Sequence, residues 1–158
     1  MMKTLYMLIG PKGAGKSYIG RLVSQRTDIR FLRVESIWLT VQPGEDGWKK
    51  VEDAIDVEFA RHERVMVESL GAGDDFQRYL ASLKEKYRVM MIRVYADLET
   101  CLKRVQTRDA ADHIPVSDEK VMAYNQIAAA VSYAWDAEID NSQPASDEEI
   151  LSLIRGLT

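Results

Sequence analysis

Cysteine is nearly missing from this sequence: Cys101 stands alone, so no internal disulfide framework braces the chain. Histidine is almost as scarce. His62 and His113 have no metal-ligand spacing to each other or to Cys101, which argues against a zinc site. Positive charge is not in excess; the formal net charge of −4 leaves no global basic footprint for nucleic acid. No apolar run is long enough to span a bilayer, and the first residues show no signal-peptide plan, so a cytoplasmic protein is expected. Internal repeats, linkers and low-complexity tracts are also lacking. A composition of 158 residues with 46% hydrophobic remains, enough for one domain with a full core, residues 1–158. A monomer is expected, with a dimer as the alternative.

The most informative stretch that is present is "LIGPKGAGKSYIG". Gly10, Gly13, Gly15, Lys16 and Ser17 fit the phosphate-loop pattern G-x-x-x-x-G-K-[ST]. Glycines let such a loop curl and aim backbone N–H groups at phosphate oxygens. Lys16 is placed to reach the β and γ phosphates of ATP, and the Ser17 hydroxyl to ligate Mg²⁺. Context agrees: "TLYMLIG" reads as a buried strand before the loop and "KSYIGRLVSQR" as a helix after it, its positive end towards the phosphates. Gly13, Ala14, Gly15, Lys16, Ser17 and Tyr18 are therefore the expected ATP-binding run. Neither D-x-x-G nor N-K-x-D occurs, so a GTPase-like switch is disfavoured.

Strand and helix patterns alternate along the rest. "IRFLRVE", "RVMVESLG", "RVMMIRVYA" and "AEIDNS" read as strands; "DDFQRYLASLKEKY", "DLETCLKRVQTR", residues 118–135 and "SDEEILSLIRG" read as helices. Residues 36–64 read as a polar helical stretch broken by "QPGEDG", and "DAADHIPVSD" as a polar loop. The alternation predicts an α/β three-layer sandwich with a five-stranded parallel sheet, the P-loop NTPase fold. Ligands then bind at the carboxyl ends of the strands. Glu35 ends the second predicted strand and Glu68 the third. One of two acids beside a phosphate site can hold Mg²⁺, and the other can orient or deprotonate an acceptor hydroxyl. Solvated carboxylates or helix caps are the alternatives. Arg104 and Arg108, four apart, share a helix face distinct from the apolar one. The stripe Tyr124, Ile127, Ala128, Val131 and Trp135 predicts a core face.

In this order the motifs resemble the small P-loop kinases of shikimate kinase, gluconate kinase and nucleoside-monophosphate kinase type, with most echoes of shikimate kinase. "GPKGAGKS" matches that family's loop, and "GEDGWKKVE" looks like its G-E-x-x-F-R-x-x-E segment. The resemblance implies that Lys49 stands for a substrate-binding arginine steadied by Glu52, that Trp48 walls the acceptor pocket, and that Gly71 belongs to a substrate loop. It implies an adenine-side loop at "IDNSQP", with Asn141 and Gln143, and a helical acceptor-binding insert at 36–64. It also implies a lid at 109–117, with Arg104 on the nucleotide-base side and Arg108 at the transferred phosphate. Lys16, Glu35, Glu68 and Arg108 are the expected catalytic residues; Ser17 and Glu68 are the metal candidates; Glu35, Trp48, Lys49 and Gly71 are the acceptor candidates. The sequence departs from the family where an acidic pair is usual, reading Arg33 and Glu35, and its lid lacks an R-P-L-L-like run. Asn125 stands about where a second substrate-binding arginine is sought. An ATP-dependent kinase for a small-molecule hydroxyl or nucleotide phosphate is expected, with a non-catalytic or regulatory ATP-binding module as the alternative.

Overall fold

The five strands arise where apolar residues run without a break. β1 (Thr4–Ile9) is buried along nearly its whole length, as a strand covered on both faces must be. It lies at the centre of an all-parallel sheet in the order β2-β3-β1-β4-β5, completed by β2 (Arg30–Phe31), β3 (Arg64–Ser69), β4 (Arg88–Tyr95) and β5 (Ala137–Asp140). The computed structural model describes residues 2–107 and 116–157.

The strand period of two divides the core. Tyr6, Leu8, Met66, Ile92 and Val94 face one layer, packed under α1 (Lys16–Arg26) and the C-terminal helix Asp147–Arg155. Leu5, Met7, Ile9, Val65, Val67 and Met91 face the other. There they meet two helices, numbered after the short α2 (Val34–Trp38). They are α3 (Gly47–Phe59) and α4 (Asp74–Lys86). α5 (Leu98–Thr107) and α6 (Asp118–Ala130) follow β4, and α7 is the helix Asp147–Arg155 after β5. Its cap is the expected one: Ser146 Oγ accepts from the Glu149 N–H at 3.2 Å. This is the three-layer α/β sandwich that the alternation predicts.

Two elements differ from expectation. The second strand stops at Phe31 instead of running to Glu35. Leu32 N–H still donates to Met66 at 2.9 Å, but Val34–Trp38 then coils into α2. At the end of β3, Glu68 Oε1 accepts the Glu35 N–H at 3.4 Å and so satisfies one of the open donors in the first turn of α2. The helix predicted over 118–135 ends at Ala130, and residues 131–135 run extended. Within α6 the buried residues are Val121, Asn125 and Ala128, while Tyr124 and Ile127 are exposed. The predicted core stripe is therefore only partly core. Val131, Tyr133 and Trp135 alternate inward against the α4 layer, because a run of β-branched and aromatic residues spaced by two buries better as an extended segment.

Candidate active site

The phosphate loop between β1 and α1 is braced from three sides. Gly15, the N-cap of α1, has φ +101°, and a Cβ there would lie 2.2 Å from Asn141 Nδ2. Asn141 is buried beneath the loop and donates through Nδ2 to the Ala14 carbonyl at 2.8 Å. Arg104 donates to the Gly13 carbonyl at 3.2 Å and the Asn141 carbonyl at 2.7 Å. The third brace is Asn125, fully buried on α6. Its Oδ1 accepts from the Lys12 N–H at 2.8 Å and its Nδ2 donates to the Lys12 carbonyl at 2.9 Å. A side-chain amide, with its acceptor and donor on separate atoms, satisfies both backbone groups at once. We expect Asn125→Ala to cost about 2–3 kcal/mol in urea unfolding, because it strands two buried backbone groups; a loss under about 0.5 kcal/mol would mean the clamp is not holding the loop.

Lys16 lies in the loop, its ammonium donating to the Gly10 and Pro11 carbonyls. Burial lowers its pKa from 10.5 to about 8, partly offset by the Glu68 charge. Glu68 is paired in register with Leu8 at the strand end and is only 7% exposed. Burial raises its carboxyl from 4.5 to about 7, opposed chiefly by Lys16. Its second oxygen, Oε2, is buried without a hydrogen-bond partner among the described residues. Glu35 sits alongside, 3.8 Å from Lys12 Nζ and 3.5 Å from Arg33.

A group raised in the folded state stabilises below its unfolded pKa and loses that contribution as pH rises through the folded value. For Glu68 the window is pH 4.5 to about 7, and the shift corresponds to about 3 kcal/mol. In nucleotide-free, metal-free protein, the stability of Glu68→Gln relative to wild type should therefore rise from no difference near pH 4.5 to about that gain above pH 7. Denaturant unfolding at several pH values measures it; parallel curves would show that the carboxyl is not held up.

One cleft of about 500 Å³ joins these parts. Gly13, Gly15, Lys16, Ser17, Tyr18 and Arg104 line one end; Glu35 and Glu68 lie at its middle; Trp48 and Gly71 line the other end. So the structure brings together most of the residues singled out by sequence. Ala14 is buried in the core, with its N–H donating to Pro11 at 3.2 Å. Tyr18 is exposed, and its hydroxyl donates to Asp147 at 2.6 Å. Asn141 and Gln143 do not line the cleft: Asn141 braces the loop from below and Gln143 is exposed.

Lys49 does not face the cleft, contrary to expectation. The inward face of α3 is Gly47, Val51, Ile55 and Phe59, and Lys49 lies on the opposite side. Its side chain is 71% exposed and pairs with Asp53 at 3.2 Å. Glu52 steadies a different cation, Lys86 on α4, at 2.7 Å. Arg108 lies outside the described residues, as does most of the 109–117 segment.

The sequence reading missed Trp38, Val51, Leu70 and Tyr79, which wall the acceptor end with Trp48. The Trp38 and Trp48 rings meet edge to face at 5.2 Å, and Trp48 and Tyr79 at 5.2 Å. A usable signal was present: two of the three tryptophans flank the polar "QPGEDG" turn. Gly71, at φ +79° with Ile9 close beneath, forms the floor there. Tyr133 on the extended segment donates to the Gly71 carbonyl at 2.5 Å and accepts from Gln77 at 2.7 Å.

The parallel order, the glycine loop after the central strand and the acid ending its neighbour define the P-loop NTPase fold. Within that class the chain is similar to shikimate kinases. That of Vibrio campbellii is 29% identical over 115 residues, 66% of this chain and 63% of that protein. The match thus spans less than two thirds of its relative's length. Shikimate kinase from Acinetobacter baumannii, solved in complex with shikimate, superposes over 99% of this chain and 94% of its own with a TM-score of 0.62 at 19% identity. The Deinococcus radiodurans tunicamycin resistance protein superposes over 98% of this chain and 95% of its own with a TM-score of 0.69 at 14% identity. No protein-family model matches the chain.

Proposed function

We propose that this chain is an ATP-dependent kinase transferring the γ-phosphoryl group to a hydroxyl of a small molecule. One observation carries the reading: the phosphate loop and the buried acid Glu68 open into a single cleft that continues into a second chamber under α2 and α3. In this reading the loop N–H groups and Lys16 grip the β and γ phosphates of ATP. The Ser17 hydroxyl lines the cleft and would hold Mg²⁺, with the acids of the same cleft able to hold its water ligands. Mg²⁺, when bound, supplies charge neutralisation on the phosphates.

The acceptor lies between Glu68 and the aromatic wall. Its hydroxyl oxygen bonds to the γ-phosphorus as the bond from that phosphorus to the β–γ bridging oxygen breaks, and ADP leaves. The hydroxyl proton passes to the Glu68 carboxylate, whose elevated pKa matches an acceptor of protons near neutrality. Glu35 holds Lys12 and Arg33 and shapes the charge around Glu68. Arg104 fixes the loop through two carbonyls and is a positioning residue.

The test is coupled ADP release across a panel of hydroxyl acceptors, set against nucleotide binding by a fluorescent ATP analogue. Acceptor-dependent ADP release supports the kinase. Tight ATP binding with no acceptor raising ADP release above background points instead to a non-catalytic nucleotide-binding module.

A further inference from the structure

The small-molecule acceptors of a phosphate-loop kinase have to be chosen by the far chamber of the cleft, and here that chamber has unusual chemistry. Val34 and Trp38 of α2, Trp48 and Val51 of α3, and Tyr79 of α4 form its walls, with Leu70 and Ala72 at its floor. Between this chamber and the phosphate loop lie two carboxylates, Glu68 and the ion-paired Glu35. Of the cations that line the cleft among the described residues, Lys16 and Arg104 touch the phosphate loop, and Lys12 is 3.8 Å from Glu35. Lys49 faces outward to Asp53, and Lys86 is engaged with Glu52 and Asp56.

Each acceptor class can be weighed against this wall. A carboxylate or phosphate would be stripped of water against Trp, Val and Tyr surfaces, and the cations beside Glu35 among the described residues, Lys12 and Arg33, are already paired with it. An ammonium would be drawn to the acids, but Glu35 already has Lys12 and Arg33 for partners. A salt bridge to Glu68 would occupy the oxygen that must take the hydroxyl proton. A neutral molecule incurs neither cost. A flat apolar body buries well between the edge-to-face Trp38–Trp48 pair and the Tyr79 ring, which are already in aromatic contact geometry.

We propose that the acceptor is an uncharged hydroxyl compound carrying an aromatic or similarly flat apolar body, held by Trp38, Trp48 and Tyr79 with its hydroxyl at Glu68. This rests on the kinase reading and narrows it. It sets the chain apart from kinases of anionic sugars and nucleotides through the wall, while leaving the phosphate loop alone.

The experiment uses three matched probes: 4-methylbenzyl alcohol, 4-(hydroxymethyl)benzoate and 4-(aminomethyl)benzyl alcohol. Each is titrated against full-length protein saturated with a non-hydrolysable ATP analogue and Mg²⁺, reading tryptophan fluorescence, and then assayed for ADP release with ATP. The neutral probe should bind at least about tenfold tighter than either charged twin and be the best stimulator of ADP release. Trp48→Leu should weaken it about tenfold with ATP-analogue affinity unchanged. Trp38→Arg should shift the preference towards the carboxylate; Trp38→Leu, should the arginine variant not fold, should weaken all three without changing their order. Equal or stronger binding of a charged twin, or no binding of the neutral probe, overturns the acceptor class while ATP-analogue binding leaves the kinase reading standing. Failure of the ATP analogue itself to bind overturns both.

Discussion

Lys16→Ala is expected to reduce acceptor-dependent turnover by about 10³-fold or more, some 4 kcal/mol of transition-state stabilisation, with the fold intact. On the kinase reading the lysine ammonium reaches the phosphates from a buried loop, where one charge counts for far more than in water. In the nucleotide-free protein that ammonium is held against burial, its pKa lowered to about 8. Removing it therefore relieves a buried charge, and the thermal midpoint should stay level or rise slightly. The two carbonyls it serves, Gly10 and Pro11, lose their donor at the cleft, where water can replace it. Coupled ADP release and a thermal melt on the same preparation separate the two effects. Turnover like wild type would show that the loop does not hold the reacting phosphate.

The second large effect is expected from Glu68→Gln: a fall of about 10²–10³-fold in kcat, the range of a positioned general base. Glutamine keeps the shape and can still accept the Glu35 N–H, so α2 should stay in place. What it cannot do is take the hydroxyl proton. ATP-analogue affinity should change by less than about threefold, since the loop and its three braces are untouched. A kcat within about twofold of wild type would remove Glu68 from the chemistry and leave it as a structural acid beneath α2.

The fold was legible because its signals are local and redundant. β1, α1 and the loop between them carry an unbroken apolar run, glycines at fixed offsets and a helical period, each pointing to the same unit. Glu68 could be singled out because an acid after the apolar run Val65, Met66 and Val67 stays at the buried strand end. Lys49 was misread because an outward position on α3 depends on which face meets the sheet, and Val51, Ile55 and Phe59 decide that together. The end of α6 was misread for a related reason. "VSYAW" alternates by two, but its stripe also fits a helical period with Tyr124 and Ile127, and only packing against the α4 layer chooses between them. Asn125 and Asn141 gave no sign of bracing the loop, since their partners lie 113 and 127 residues away in sequence.

α6 and its extended tail touch both ends of the cleft: Asn125 grips Lys12, and Tyr133 grips Gly71. A single short run of chain thus acts as a ruler, setting the span between the phosphate cradle and the acceptor floor. The wall residues that meet the acceptor's body come from α2, α3 and α4 instead. Reach and taste are therefore inherited separately in this architecture. On the proposed kinase reading, side chains at Trp38, Trp48 or Val51 could be exchanged to admit another alcohol without resetting that span, which makes the insert between β2 and β3 the natural place to alter acceptor choice.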